Sequence, residues 1–390
     1  MPSNAAGCLS ALTVRVLRKA GELKAALPSS HVRSEIARLV CQMNSYYSNL
    51  IEGHKTLPGD IERALKQGFS EDAKDRRNQE LSVAHIRVEQ ALRDRLHRNP
   101  STDVFSCDFI CWIHREFYSH LPKAEWMTSS REGTHYPLDP GEMRQYNVDV
   151  GRHVPPAFET LQGFMQRFHE FYGSERIAAT DRLIALSAAH HRLTWIHPFG
   201  DGNGRVARLH SQAAMIAAGL DGEGLWTLSR GLARRKSDYY AHLQSADQPR
   251  AGDLDGRGNL SDKALAEFCR FFLEQIADQI EFMIGLISPF HLIDRIESYI
   301  QLTRVDLKKS LRNHLRRLLK ALCLEGDIAR GAVPSILGLK STSARDVVRR
   351  ALSEELIQSP SPKGPLRIAF PNKVVDSYFP QLFTDLPTDR

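Results

Sequence analysis

Apolar residues recur at helical spacing along most of the chain. Residues 31–50 place Ile36, Leu39, Val40 and Met43 on one repeating face. Gln79 to Leu96 does the same with Leu81, Ala84, Val88, Ala91, Leu92 and Leu96, and Asn99-Pro100-Ser101 stops it. Helical patterning returns at about 104–120, 157–172, 178–196, 203–218 and 229–246. A long stripe from Leu265 to Ile287 follows within 261–287, and Pro289 ends it. Ahead of all these, residues 10–27 form a small basic amphipathic segment closed by Pro28-Ser29-Ser30. One stretch breaks the pattern: Gly133, Pro137, Pro140, Gly141, Gly151, Pro155 and Pro156 punctuate residues 127–157. Inside it Tyr146 to Val150 alternates Tyr, Val and Val against Asn and Asp, which predicts a small hairpin beside a helical body. The fold class is therefore mostly α.

The pattern changes again beyond residue 300. A basic helix at 307–323 leads to a short helix, Gly331 to Leu337, and the turn Gly338-Leu339-Lys340-Ser341. A second helix, 342–357, bears Arg345, Arg349 and Arg350, and Leu366, Ile368 and Phe370 then alternate as a wing would. That order outlines a C-terminal winged helix-turn-helix. Lys340, Arg345, Arg349, Arg350, Lys363 and Arg367 are candidates for DNA phosphate contacts. No Gln/Asn/Arg cluster on the second helix announces base readout, so protein contacts or homodimer formation is the competing use. Three regions result: an N-terminal helical region (1–100), a core with a connector at 247–260 and a long helix (101–290), and the winged region (300–390).

Composition narrows this only slightly. The 390 residues are 42% hydrophobic and 25% charged, with 52 basic and 46 acidic side chains giving a formal charge of +6. That balance is too mild to argue for nucleic acid. The six cysteines offer one helical-face pair, Cys107 and Cys111, without a second close pair to complete a metal site, so free thiols are expected. The start shows no secretory pattern and no uninterrupted apolar run reaches 18 residues. A cytoplasmic setting with no membrane partner is the expectation.

The candidate chemistry sits at residues 195–208, Trp-Ile-His-Pro-Phe-Gly-Asp-Gly-Asn-Gly-Arg-Val-Ala-Arg. Glycines around Asn203 suit a tight turn whose backbone amides converge on an anion, and the helix that follows presents its positive end to the same point. His197 could take a proton from a hydroxyl while phosphate is held beside it. Asp201 could hold Mg²⁺ on the phosphates. Gly202 and Gly204 would lend amides, Asn203 would fix the loop, and Arg205 and Arg208 would clamp phosphate. Phe199 reads as a plug into the core. His190 and His191 match no catalytic position, and with His197 they make a poor zinc set.

This stretch resembles the Fic family, whose signature His-x-Phe-x-Asp/Glu-Gly-Asn-Gly-Arg-x-x-Arg is met by His197, Phe199, Asp201, Gly202, Asn203, Gly204, Arg205 and Arg208. The resemblance extends over roughly 105–245. It takes in Pro140-Gly141, Arg144, Val148, Val150-Gly151 and Pro155-Pro156, which look like the segment leading to the family's target-docking hairpin. The resemblance implies transfer of AMP from ATP, with Mg²⁺, to a Ser, Thr or Tyr hydroxyl of a protein. His197 would then be the general base, Asp201 the metal ligand and the 202–204 amides the anion hole. Asn203 and Arg205 complete the catalytic set, and Arg208, Tyr239 and Tyr240 join the nucleotide site. Arg205, where Doc-like relatives have Lys, favours adenylylation over phosphorylation. The target would be fed as an extended strand to the hairpin at 148–155, and the chain itself is a candidate for auto-modification.

Ser48, Glu52 and Gly53 resemble the family's inhibitory motif, Ser/Thr-x-x-x-Glu-Gly/Asn, within the helix predicted at 31–53. In that reading Glu52 pairs bidentately with Arg205, blocks the productive phosphate pose and is steadied by Ser48; it could also assist removal of AMP. Two other functions compete: a nucleotide-sensing, DNA-binding transcriptional regulator, and a phosphotransferase or nucleotide hydrolase.

Overall fold

The computed structural model describes residues 2, 6–27, 29–66, 68–129, 134–151, 153–173, 177–178 and 181–384. The chain divides into two compact units. The first comprises Met1–Ala20, Asn44–Asp221 and Thr227–Ile280; the second comprises Gly21–Met43, Gly222–Trp226 and Glu281–Arg390.

Helices α1 (Ala6–Ala25) and α2 (Ser30–Ile51) each contribute residues to both units. The first unit continues with α3 (Pro58–Leu65), α4 (Ala73–Arg98) and α5 (Cys107–Ser119). Asp72 caps α4 by accepting from the amides of Lys74 and Asp75, and Ser106 caps α5 through the amide of Phe109. Next come strands β1 (Met127–Ser129) and β2 (His135–Pro137), then α6 (Leu161–Tyr172), α7 (Arg182–Ile196) and α8 (Asn203–Ala217). Helix α7 lacks a polar face, and the structure buries it on nearly every side, against α6 and α8. The predicted helix at 229–246 is two, α9 (Leu228–Arg234) and α10 (Lys236–Ala246). Arg235 between them leaves helical geometry at φ −122°, ψ 41°. Helix α11 (Asp262–Ile287) carries the long apolar stripe.

The hairpin is corrected in position. The antiparallel ladder joins Met127–Ser129 to His135–Pro137. In the predicted segment 148–155 the described residues form one bridge, Val150 with His153, closed by two backbone hydrogen bonds of 2.9 Å. The turn at Gly151 and the prolines at 155 and 156, which have no amide to donate, leave no length for a ladder.

In the second unit follow α12 (Pro289–Ser298), α13 (Lys309–Glu325), β3 (Asp327–Ile328), α14 (Val333–Leu337), α15 (Ser341–Ser353), β4 (Ile357–Gln358), β5 (Leu366–Ile368) and α16 (Asn372–Tyr378). The three strands form an antiparallel sheet in the order β3-β5-β4. Gly338, at φ 65°, makes the turn between α14 and α15. Three arginines considered for DNA sit in ion pairs: Arg349 with Asp346, Arg350 with Glu354 and Arg367 with Asp327.

Cys41, Cys269 and Cys323 are buried, and Cys107 and Cys111 are half-buried with Sγ atoms 3.9 Å apart. No single helix among the described residues is long and apolar enough to cross a membrane, although α11 with the bent segment Pro289–Thr303 reaches that length and composition.

Candidate active site

Helix α7 ends at His197, which takes the left-handed conformation at φ 50°, ψ 60°. For a residue with a Cβ this costs roughly 1–2 kcal/mol. The cost is met by local bonding: the His197 amide donates to Leu193 O at 3.1 Å, and its carbonyl accepts from Arg144 Nε at 2.9 Å. His197 lines the same cleft as Asn203 and Gly204 of the loop that follows.

That loop is held from three sides. Phe199 is fully buried and stacks on His114 of α5, with ring centroids 4.0 Å apart and planes 8° from parallel. Asn203 ties the loop's ends, donating from Nδ2 to Phe199 O at 2.8 Å and accepting from the Phe199 amide at 3.0 Å. Arg144, almost wholly buried, donates to Tyr146 O at 2.8 Å and Pro156 O at 2.6 Å as well as to His197 O. One guanidinium thus fastens the 146–156 segment to the catalytic turn. Gly202, at φ 78°, supplies the left-handed residue that starts α8.

Asp201 is half-exposed, and its Oδ2 accepts from Tyr118 Oη at 2.7 Å and Arg205 Nη2 at 3.4 Å. Burial opposes its ionisation, but Arg205, Tyr118 and the Gly202 amide outweigh that and hold the carboxyl below its ordinary range. Arg205 lies over the Phe117 ring at 5.0 Å and is 6% exposed, yet its Nε and Nη1 meet no hydrogen-bond partner. Two buried, charged donors without an acceptor are costly unless an anion reaches them. Burial drives the His197 pKa down to about 4, assisted by Arg144 and His153, so the imidazole is neutral and able to accept a proton at neutral pH.

The pairing of Glu52 is also corrected. Glu52 Oε1 accepts from Arg208 Nη2 at 2.6 Å, not from Arg205, which Asp201 engages instead. Arg208 is fully enclosed and makes two more bonds to the same helix, to Ser48 Oγ and Ser48 O, each at 2.9 Å. Position explains the choice: Arg208 lies one turn beyond Gly204 on the face of α8 that meets α2. A Cβ built on Gly204 would stand 3.3 Å from Glu52 Cδ and closer still to Oε1, so the carboxylate rests on the first turn of α8. Partial burial raises the Glu52 pKa, but Arg208 and Arg205 together bring it below the usual carboxylate range. Gly53 follows at φ 88° and ends the helix.

A cleft of about 440 Å³ opens over these groups, lined by Glu52, His197, Asn203, Gly204, Arg208 and Tyr240 among others. The two tyrosines differ. Tyr239 is buried, and its hydroxyl meets His190 Nε2 at 2.8 Å, while His190 Nδ1 meets Ser211 Oγ at 2.8 Å. Tyr240 is 43% exposed and donates to Ile51 O at 3.3 Å, leaving its ring to the cleft. His153, from the Val150 bridge, donates through Nε2 to Trp195 O at 2.8 Å and lies 3.6 Å from Asp247. Among the described residues no group of three His, Cys, Asp or Glu side chains could hold a metal. Asp201 alone suits a hard ion that keeps waters and takes phosphate oxygens, which is how Mg²⁺ is commonly bound.

Sequence reasoning passed over Tyr118 and the partners of α2, for which no motif speaks. The arrangement places a neutral imidazole and the start of a helix in one cleft, a setting suited to an anion beside a proton acceptor. Residues 104–215 match the Fic/DOC family, and the chain carries a Fic/DOC domain there. Curated relatives named "Protein adenylyltransferase Fic" include one from Drosophila erecta, 41% identical over 118 residues, which are 30% of this chain and 22% of that protein. One from Nematostella vectensis is 35% identical over 153 residues, 39% and 30% of the two chains. One from Drosophila virilis is 28% identical over 178 residues, 45% and 35%. The chain therefore spans about a fifth to a third of these relatives' length. In fold it resembles a Fic family protein from Desulfovibrio desulfuricans, with a TM-score of 0.54 at 16% identity over 93% of this chain and 97% of that one. Fic-1 from C. elegans gives a TM-score of 0.53 at 20% identity over 71% and 73%.

Proposed function

We propose that the protein transfers AMP from ATP to a hydroxyl of a protein side chain, its own chain included, and that Glu52 restrains this activity. The observation that carries the proposal is the carboxylate of Glu52 lying where the anion-receiving start of α8, Arg208 and Gly204 would meet phosphate. A carboxylate there mimics and excludes the phosphate that a productive ATP would bring.

With Glu52 withdrawn, the ATP phosphates take the amides at 202–204 and the guanidiniums of Arg205 and Arg208. Arg205 then gains acceptors for Nε and Nη1. Mg²⁺, held by Asp201 and phosphate oxygens, would neutralise charge on the leaving pyrophosphate. His197 takes the proton of the target hydroxyl as that oxygen bonds to the α-phosphorus; the bond from the α-phosphorus to the bridging oxygen breaks, and pyrophosphate leaves. The exposed Tyr240 ring offers the adenine a face to stack on, with Tyr239 fixed behind it by His190. The target lies as an extended segment beside Val150–His153, near enough to bring a hydroxyl to His197. The winged-helix reading of residues 300–390 remains part of this proposal, as a module that binds DNA or protein.

Full-length wild type, Glu52→Gly and Glu52→Gly/His197→Ala are incubated with ATP and Mg²⁺ and analysed by intact-protein mass spectrometry. AMP adducts that rise in the first variant and vanish in the second are expected. Equal, low adduct levels in wild type and Glu52→Gly would refute the restraint, and phosphate adducts would replace nucleotidyl by phosphoryl transfer.

A further inference from the structure

The C-terminal half of α2 meets α8 along a row of polar side chains. Asn44 and Ser48 lie on α2 and Glu52 in the turn just past its end, in line with them; on α8 the matching positions are Gly204, Arg208 and Gln212. Each row advances by four residues, so each lies on one helix face. They pair in opposite order. Asn44 Nδ2 donates to Gln212 Oε1, Ser48 accepts from Arg208, and Glu52 takes Arg208 beside Gly204. All of these residues belong to the first unit.

The end of the row farthest from the cleft is closed by a third helix. Glu89 of α4 is 1% exposed; its Oε2 accepts from Asn44 Nδ2 at 2.7 Å and its Oε1 from Gln212 Nε2 at 2.7 Å. Asn44, Gln212 and Glu89 thereby form a closed ring of three hydrogen bonds. Thr227 Oγ1 donates to Asn44 Oδ1, and Arg93 Nη2 reaches Glu89 at 3.3 Å. Every polar atom of the Asn44 amide is used. A side chain so fully specified cannot move along α8 without leaving Glu89 and Gln212 short of partners inside the protein.

Two helices packed through apolar residues tolerate sliding, whereas a buried polar residue fixes one register and lowers stability elsewhere. We infer that Asn44, Glu89 and Gln212 are positioning residues that set the axial register of α2 on α8, and so deliver Glu52 to the first turn of α8. A slip of one helical turn, about 5.4 Å, would carry Glu52 clear of Arg208 and open the phosphate site. The ring touches neither the cleft nor the reacting groups, so it acts through Glu52 alone. The inference rests on the restraint by Glu52 proposed above.

The test compares full-length wild type, Glu89→Gln, Glu52→Gly and Glu52→Gly/Glu89→Gln for incorporation of α-labelled ATP, with amide exchange of residues 45–52 followed in each. In Glu89→Gln one amide NH₂ must face a donor, and the ring opens. Auto-modification is expected to rise roughly fivefold over wild type, the ratio that loss of one hydrogen bond of ordinary strength gives. In the Glu52→Gly background the same change is expected to add nothing. Exchange in 45–52 rises while that of α8 stays as in wild type. An additional rise in the double variant, or unchanged exchange in Glu89→Gln, overturns the inference. If Glu52→Gly fails to activate, the restraint itself is refuted, and the exchange data still decide whether the ring holds the register. Asn44→Ala opens the ring from the α2 side and serves if Glu89→Gln does not fold; the same two outcomes apply to it.

Discussion

Gly204→Ala tests where Glu52 rests without relying on activity. Gly204 lies in the first turn of α8 with an ordinary helical backbone, so alanine fits its conformation. The added methyl would stand 3.2 Å from Arg208 Nη1 and 3.3 Å from Glu52 Cδ, and the nearer carboxylate oxygen has to leave. Moving it breaks the 2.6 Å bond to Arg208. Because 28% of the Glu52 side chain is exposed, the low end of the charged hydrogen-bond range applies, about 1.5 kcal/mol. Replacing glycine in a first turn returns about 0.5 kcal/mol. Gly204→Ala should therefore destabilise wild type by about 1 kcal/mol and stabilise Glu52→Ala by about 0.5 kcal/mol, a coupling near 1.5 kcal/mol. Urea unfolding of the four proteins of this cycle measures it, and thermal shifts should change sign, by about 2–4 °C per kcal/mol. The same loss of stability in both backgrounds, within about 0.5 kcal/mol, would refute the placement of Glu52 against Gly204.

Two further outcomes follow from the site. The His197 pKa, lowered to about 4 by burial, leaves the imidazole neutral over the physiological range. In the Glu52→Gly protein the acid limb of the pH–rate profile should fall near pH 4 rather than near the ordinary histidine value of 6.5; a limb at 6–7 would refute the lowered pKa, and a limb that survives His197→Gln would exclude His197 as its source. Arg144→Lys keeps the charge but cannot span the carbonyls of Tyr146, Pro156 and His197. Losing two of three bonds from a charged, buried donor should cost about 3 kcal/mol in urea unfolding. It should also lower the turnover of the Glu52→Gly protein by about 10²-fold through misplacement of His197.

What could be read from the chain was whatever one helix or one loop decides by itself. The stripe of α11, the all-round apolar α7 and the glycines flanking Asn203 speak for their own backbones, and those elements stand close to where periodicity puts them. Pairings between distant segments were another matter. Glu52 could be matched to the arginines of residues 195–208, but Arg205 and Arg208 differ only by position on a helix whose facing was unknown. The ladder at Met127–Ser129 and His135–Pro137 lacks the alternation that drew attention to Tyr146–Val150, because strands of three residues carry too few side chains to show a period.

The fourfold spacing shows why such pairings escape a reading of single segments. The structure lines up Asn44, Ser48 and Glu52 at the C-terminal end of α2 and Gly204, Arg208 and Gln212 on α8, rows that were not picked out of the sequence because Gln42, Ser45 and Asn49 interleave the first with other polar residues. A polar row at that spacing among buried neighbours demands partners, since unpaired groups there cost more than the packing around them can return. Two such rows of matched length in one chain supply each other's partners, and antiparallel pairing is the order that brings the acidic end of one to the helix start of the other. Under the inference above, Asn44 and Gln212, closed by Glu89, set the register of α2 on α8.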